Sequence, residues 1–262
     1  MDIGTAPFRR DEMRARIPEF LELHAKRPIR ENRGGMRAPH LFATWFMVQK
    51  LAPTHIVESG VFKGLGTWLL EQAAPEAQLC CIDPDPAARV YRSSRANYLT
   101  EDFAKLTWDL PRETTLLFFD DHQDELRRVE ESRKLGFRHV IFEDNYPPGQ
   151  GDCFSLKQAL MGEQRQEGRG PLAKLVDRLS PRSEKGDAKA ELLAALDGYY
   201  EFPPVLRVAE TRWGDAWTDD RYPTPEALFL SPDDVPGDTE RLFASEAPFY
   251  TWICYATLRP PA

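Results

Sequence analysis

Four short apolar runs in this sequence end in side chains that can do chemistry. HIVES carries Glu58 and Ser59 and leads into Gly60, and QLCCI leads into Asp83 and Asp85. TTLLFF leads into Asp120, Asp121 and His122, and HVIF into Glu143, Asp144 and Asn145. Carboxylates accept hydrogen bonds and balance positive charge. A phosphate-rich ligand would be repelled by so many of them. A ligand with a cationic centre, an amino group and ribose hydroxyls would be well held. Carboxylate and amide oxygens at such positions can also ligate a divalent cation, and a histidine beside them can take a proton near neutral pH.

The elements that must position these residues follow from the pattern. Apolar runs at residues 55–59, 78–83, 114–121 and 138–144 alternate with the helical stretches TWLLEQAA, PAARVYRSSRANY and QDELRRVEESRKLG. Strands that are apolar throughout and separated by helices predict a parallel sheet covered on both faces. The fold class expected is therefore α/β, a doubly wound Rossmann-like sheet of seven mostly parallel strands. Ligands of such sheets bind beyond the carboxyl ends of the strands, where the acidic residues fall. Residues 8–27 and 38–51 read as helices, the second closed by Pro53, and form an N-terminal helical cap over 1–53. The main domain is then 54–262, with an insertion at about 150–200. Within it, NYPPGQGDC is a loop, FSLKQALMGEQRQ and AKAELLAALDGYY are helical, and residues 168–187 read as an insertion or mobile flap. PPVLRVAE and FYTWICYATL are expected as two late strands forming an antiparallel edge hairpin.

Bulk properties narrow the function classes. The chain has 262 residues, 42% hydrophobic and 29% charged, with a formal net charge of −8. That charge argues against a nucleic-acid partner. No stretch approaches the roughly 18 apolar residues of a membrane span, and MDIGTAPFRRDEMR has no apolar leader core, so a cytoplasmic protein without membrane partners is expected. Cys80, Cys81, Cys153 and Cys254 match neither a zinc pattern nor a disulfide framework and read as free thiols. The apolar LFATWFMV at 41–48 can bury against the sheet or against a second subunit, which leaves a homo-oligomer open.

The turn after HIVES narrows the ligand. Its glycines, Gly60, Gly64 and Gly66, allow close backbone approach. The phosphate-binding pattern ending in Gly-Lys-Ser/Thr is absent, as is G-x-G-x-x-G. Gly60-x-x-x-Gly64-x-Gly66 occurs in short-chain dehydrogenases, but no tyrosine here has a lysine four residues on. S-adenosylmethionine (SAM) sites want an acid two before the first glycine and another after the second strand. Glu58 and Asp83 supply both. Ser59, Phe62, Gly64, Gly66 and Thr67 complete the turn expected around this cofactor.

IVESGVFKGLG closely resembles the opening motif of the macrocin O-methyltransferase family, with Val57, Glu58, Gly60, Val61, Phe62, Lys63 and Gly64 in register. LLFFDDHQDE and HVIFEDNYPPG resemble the same family and the related cephalosporin hydroxylase family. EDNYPPGQGD is similar to the metal loop of catechol-type O-methyltransferases. The resemblance covers roughly residues 54–160. It implies a SAM-dependent O-methyltransferase acting, with Mg²⁺, on a hydroxyl of a small molecule such as a sugar, glycoside or other natural product. Carried over residue by residue, Asp121 and Asp144 would ligate the metal, with Glu143 or Asn145 third, and Asp120 would accept from the cofactor's amino group. His122 is the candidate base. Capping roles stand beside these readings: Asp121 as a helix N-cap, Asp144 in an Asx-turn, His122 as a surface residue. Trp213, Trp217 and Tyr222 are candidates to line an acceptor pocket, while His24, His40, His55 and His139 have no motif context. A hydroxylase-like metal enzyme on the same scaffold, and a non-catalytic SAM-binding protein, remain the alternatives.

Overall fold

The computed structural model describes residues 2–3, 7–165, 187–207, 209–216, 223–235 and 240–261. The strands are β1 (Asp2–Ile3), β2 (His55–Ser59), β3 (Gln78–Ile82), β4 (Ala96–Leu99), β5 (Thr115–Phe119), β6 (His139–Phe142), β7 (Leu196–Glu201) and β8 (Cys254–Leu258). They form one sheet in the order β1-β7-β8-β6-β5-β2-β3-β4. The sheet has the expected seven strands in number, but β4 and β7 lie in stretches expected as helical and PPVLRVAE forms none of the named strands; the two-residue β1 adds an eighth at the edge by pairing with β7. Only β8 runs antiparallel to its neighbours.

Helices cover both faces, as the unbroken apolar strands require. Alternation along β5 shows the division. Leu116 and Phe118 point to a core shared with α1 (Arg10–His24), α2 (Ala38–Leu51) and α3 (Leu65–Ala73). Leu117 and Phe119 point to a second core with α4 (Glu125–Lys134), α5 (Leu156–Leu160) and α6 (Ala188–Ala195). A further helix, α7 (Glu240–Glu246), contributes Phe243 to the first core. All of Ala38–Val48 is buried within the chain, so the apolar stretch of α2 is covered by α1, α3 and α7.

Three expectations are corrected. PAARVYRSSRANY is not a helix: after a 3-10 turn at Pro86–Ala88 the chain is extended and ends in β4. The Tyr91 hydroxyl and Ser93 Oγ both donate to Glu71 on α3, which ties this segment down side-on. AKAELLAALDGYY is helical only to Ala195, and its last residues begin β7. The late strand thus precedes Pro203 and Pro204, whose missing N–H groups suit them poorly to a ladder. Finally, β7 and β8 pair antiparallel, but β8 lies inside the sheet between β6 and β7 rather than in an edge hairpin. Residues 168–186 of the expected flap, with Trp217 and Tyr222, lie outside the described residues.

Register is what the sheet contributes to function. Ser59 pairs with Ile82 on one side and Phe119 on the other, and Phe119 pairs with Phe142. Gly60, Asp83, Asp120 and Glu143 therefore leave the sheet along one line. The chain order reverses between β2 and β5, a switch point of the kind where open α/β sheets leave a crevice.

Candidate functional site

Gly60 sits at that switch point with φ +95. A Cβ there would stand 2.0 Å from the carbonyl oxygen of Asp120, so only glycine lets the two strand ends meet. The next amides turn toward β3: Val61 N and Phe62 N donate to Asp83 Oδ2 at 3.2 and 2.8 Å. Asp85 N donates to Asp83 Oδ1 at 2.9 Å. Asp83 thereby fixes the turn and keeps accepting capacity on Oδ1.

Glu58 lies beneath this turn rather than in the open space above it. It is 1% exposed, its Oε2 accepts from Thr67 Oγ1 at 2.5 Å, and its Oε1 has no hydrogen-bond partner among the described residues. Gly66 makes room for it, since a Cβ would lie 2.6 Å from Oε1. Burial pushes the Glu58 carboxyl up to about 7.

Two cavities open at the strand ends. The larger, about 680 Å³, lies over β2, β3 and β5. Of the residues expected at a cofactor, Ser59, Gly60, Phe62, Asp83 and Asp120 line it. Glu58 and Thr67 support the turn from below, Gly64 caps the start of α3, and Gly66 lies within that helix. Among the described residues the wall of the larger cavity holds five aspartates, Asp83, Asp85, Asp102, Asp120 and Asp121, against one arginine, Arg128. The second cavity, about 370 Å³, lies over β5 and β6 and includes Glu143, Asp144 and Tyr146. Gly34, Gly35, Asp120 and His122 border both cavities.

At that shared border Asp120, His122 and Asp144 bring ligand atoms within 4.8 Å of one another. His122 holds a left-handed backbone, φ 52. Its Nδ1 lies 3.2 Å from both Asp144 Oδ2 and Asp152 Oδ1. Burial, then the like charges of Asp144, Glu58 and Asp121, push the Asp120 carboxyl well above the usual range. A carboxyl so placed is stabilised by a proton or by a cation. Two carboxylates and an imidazole fit a divalent ion, and the oxygens suit Mg²⁺ or Mn²⁺.

The cluster differs in membership from the metal set expected from the sequence. Asp121 points elsewhere: its Oδ2 accepts from Ser59 Oγ at 2.7 Å and from Arg128 Nη2 at 2.7 Å. Asp120, one residue earlier, is the aspartate of this strand end that joins His122 and Asp144 in the cluster. Asn145 is fully buried and spent on structure, with Nδ2 donating to Tyr199 Oη and to the Trp252 carbonyl and Oδ1 accepting from Lys157 N. Glu143 borders the second cavity but is engaged by His40 at 2.6 Å. The His40 Nε2 accepts from Thr251 N, so the proton sits on Nδ1 and is donated to Glu143. Burial lowers His40 to about 4, which keeps the ring neutral. Asp144 stays in the cluster. Of the aromatic residues expected at an acceptor pocket, the described one, Trp213, stacks on Trp252 and packs edge-on against Tyr146 instead of lining the cavity.

Sequence reading passed over His40, Arg128 and the Gly34–Gly35 loop. Signals existed: a histidine alone in the apolar run of α2, and adjacent glycines in RENRGGMR.

No family model and no curated protein sequence matches the chain. Solved structures show weak likeness. CmcI in an Mg-SAM form is 23% identical, with 45% of this chain and 58% of that one covered at a TM-score of 0.34. TomG, an O-methyltransferase from Streptomyces achromogenes involved in tomaymycin synthesis and in complex with SAM, is 14% identical, with 74% and 82% covered at 0.42. An O-methyltransferase from Bacillus cereus in complex with SAH is 13% identical, with 76% and 87% covered at 0.39. The match spans 57–62% of the length of the three CmcI chains.

Proposed function

We propose that this chain is a SAM-dependent O-methyltransferase for a small hydroxylated acceptor, a sugar, glycoside or other natural product, assisted by a divalent metal such as Mg²⁺. The observation that carries this reading is the meeting of two cavities at Asp120 and His122, one walled by an excess of carboxylates and the other bordered by the acid cluster. The larger cavity suits SAM. Its carboxylates favour a ligand with a sulfonium and an amino group, and Asp83 Oδ1 and Asp85 can accept from ribose hydroxyls. Gly60, which lines this cavity, lets the ends of β2 and β5 meet beneath the proposed ligand.

SAM supplies a methyl group activated by the sulfonium for direct displacement by an oxygen. Asp120 and Asp144 would hold the ion, which would acidify and orient the acceptor hydroxyl. Asp144 and Asp152 pin Nδ1 of His122, which leaves Nε2 as the nitrogen to take the hydroxyl proton. The three-way clustering of Asp120, His122 and Asp144 favours a second role for this histidine, as the third ligand. The two roles are exclusive, since a ligating imidazole is no longer a free base.

The test is calorimetric titration of S-adenosylhomocysteine (SAH), followed by SAM turnover against hydroxylated acceptors with and without Mg²⁺. SAH binding with metal-dependent turnover is the expected result. SAH binding without methyl transfer to any acceptor would leave a binding protein instead.

A further inference from the structure

The second cavity is lined by groups of both signs. Asp120, Glu143 and Asp144 come from the strand ends, while Arg33, Arg37 and Arg212 come from the loop before α2 and from segment 209–216. In a chain of net charge −8, three arginines on one cavity of about 370 Å³ call for a reason. Arg37 and Arg212 converge on one ring: their guanidinium carbons lie 4.8 and 5.9 Å from the centroid of Phe249. Phe249 is 38% exposed and lines the cavity. Among the described residues Arg33 and Arg212 have no carboxylate partner, and Arg37 has only a loose contact with Glu246 at 3.8 Å.

Cations drawn together with so little direct pairing leave room for an anion. Guanidinium groups match planar or tetrahedral oxyanions through paired N–H donors, which lysines do less well. An anion set against the carboxylates would be repelled, so charge orients any bound molecule. We propose that the acceptor carries an oxyanionic group, a carboxylate or a phosphate, bound by Arg37 and Arg212 beside Phe249, with its reacting hydroxyl directed to the acid cluster. This rests on the methyltransferase reading for the word acceptor, but not for the anion subsite.

The experiment titrates three probes, with Mg²⁺ present, into SAH-treated protein and into protein alone: 3,4-dihydroxybenzoate, 3,4-dihydroxybenzyl phosphate and the neutral 3,4-dihydroxybenzyl alcohol. At least one anion is expected to bind about tenfold or more tighter than the alcohol, and the preferred anion distinguishes carboxylate from phosphate. Arg212→Gln and Arg37→Gln are each expected to remove most of that preference and leave alcohol binding unchanged. The SAH titration of each variant shows whether it has folded. Equal affinity for the alcohol, a preference that survives both substitutions, or binding of neither anion overturns the proposal. SAH binding without an anion preference removes this inference alone. An anion preference without SAH binding removes the methyltransferase reading and leaves the subsite standing.

Discussion

Arg128 Nη2 lies 2.7 Å from Asp121 Oδ2, and the arginine side chain is 2% exposed. The same guanidinium also reaches Asp102 and Glu131 at 2.8 Å each. Asp121 therefore holds a buried cation in place at the edge of the larger cavity. Asp121→Asn should cost about 2 kcal/mol of stability, below the usual range for a broken buried pair because two acids still face Arg128. Urea denaturation reads that loss. Divalent-ion affinity should not change, because Asp121 is turned to Ser59 and Arg128 and away from the cluster of Asp120, His122 and Asp144.

Asp120→Asn and Asp144→Asn should do the reverse. Each removes a carboxylate from the cluster and should abolish Mn²⁺ binding in a calorimetric titration. Relief of like-charge repulsion should keep both variants as stable as the parent or make them more so. Burial and neighbouring carboxylates raise the Asp120 carboxyl well above its ordinary value, so an arriving ion competes with a proton there. Ion affinity should then rise with pH, with proton release seen as a heat that changes between buffers of different ionisation enthalpy. A pH-independent affinity would place the ion elsewhere.

Glu58 makes stability depend on pH in the opposite sense to a salt-bridged acid. Its folded pKa is raised from 4.5 to about 7. Between those values the unfolded chain ionises this group while the folded chain keeps the proton. Its contribution is complete below pH 4.5 and is lost as pH rises through about 7, by up to about 3 kcal/mol. Glu58→Gln keeps an acceptor for Thr67 and removes the titration. Urea midpoints at pH 5 and pH 8 should differ less in this variant than in the parent.

Gly60→Ala should be among the costliest single changes. It places a Cβ 2.0 Å from the Asp120 carbonyl oxygen, and it does so at φ +95, where an L side chain is already strained. A loss of about 3 kcal/mol or more is expected, with a matching drop in melting temperature. Any folded fraction should bind SAH poorly, because the ends of β2 and β5 have been forced apart.

The sheet was legible because its strands are apolar on both faces, a pattern that a parallel sheet buried between two helical layers demands. Leu116 to Phe119 had to be covered from two sides. Strand β4 was not legible: ANYL is half-buried and follows SSR, so neither period marks it, and its position comes from tertiary bonds such as Tyr91 to Glu71. The site divided in the same way. That the acids stand at strand ends could be read from position along the chain. Which of Asp120 and Asp121 faces the cluster could not, because neighbours on an extended chain point to opposite sides and the decision is made by Arg128 on another element. Likewise Asn145 looked like a ligand until Tyr199, Trp252 and Lys157, distant in sequence, used its hydrogen bonds.

If the cavity beside Gly60 holds SAM, the purified protein must bind its demethylated product as well. Titration of SAH into the purified protein by calorimetry tests it most directly. Binding at one site with a micromolar Kd is predicted, weakened at least about tenfold in Asp85→Ala through loss of a ribose partner. No detectable binding with or without Mg²⁺, or binding untouched by Asp85→Ala and Gly60→Ala alike, would contradict it.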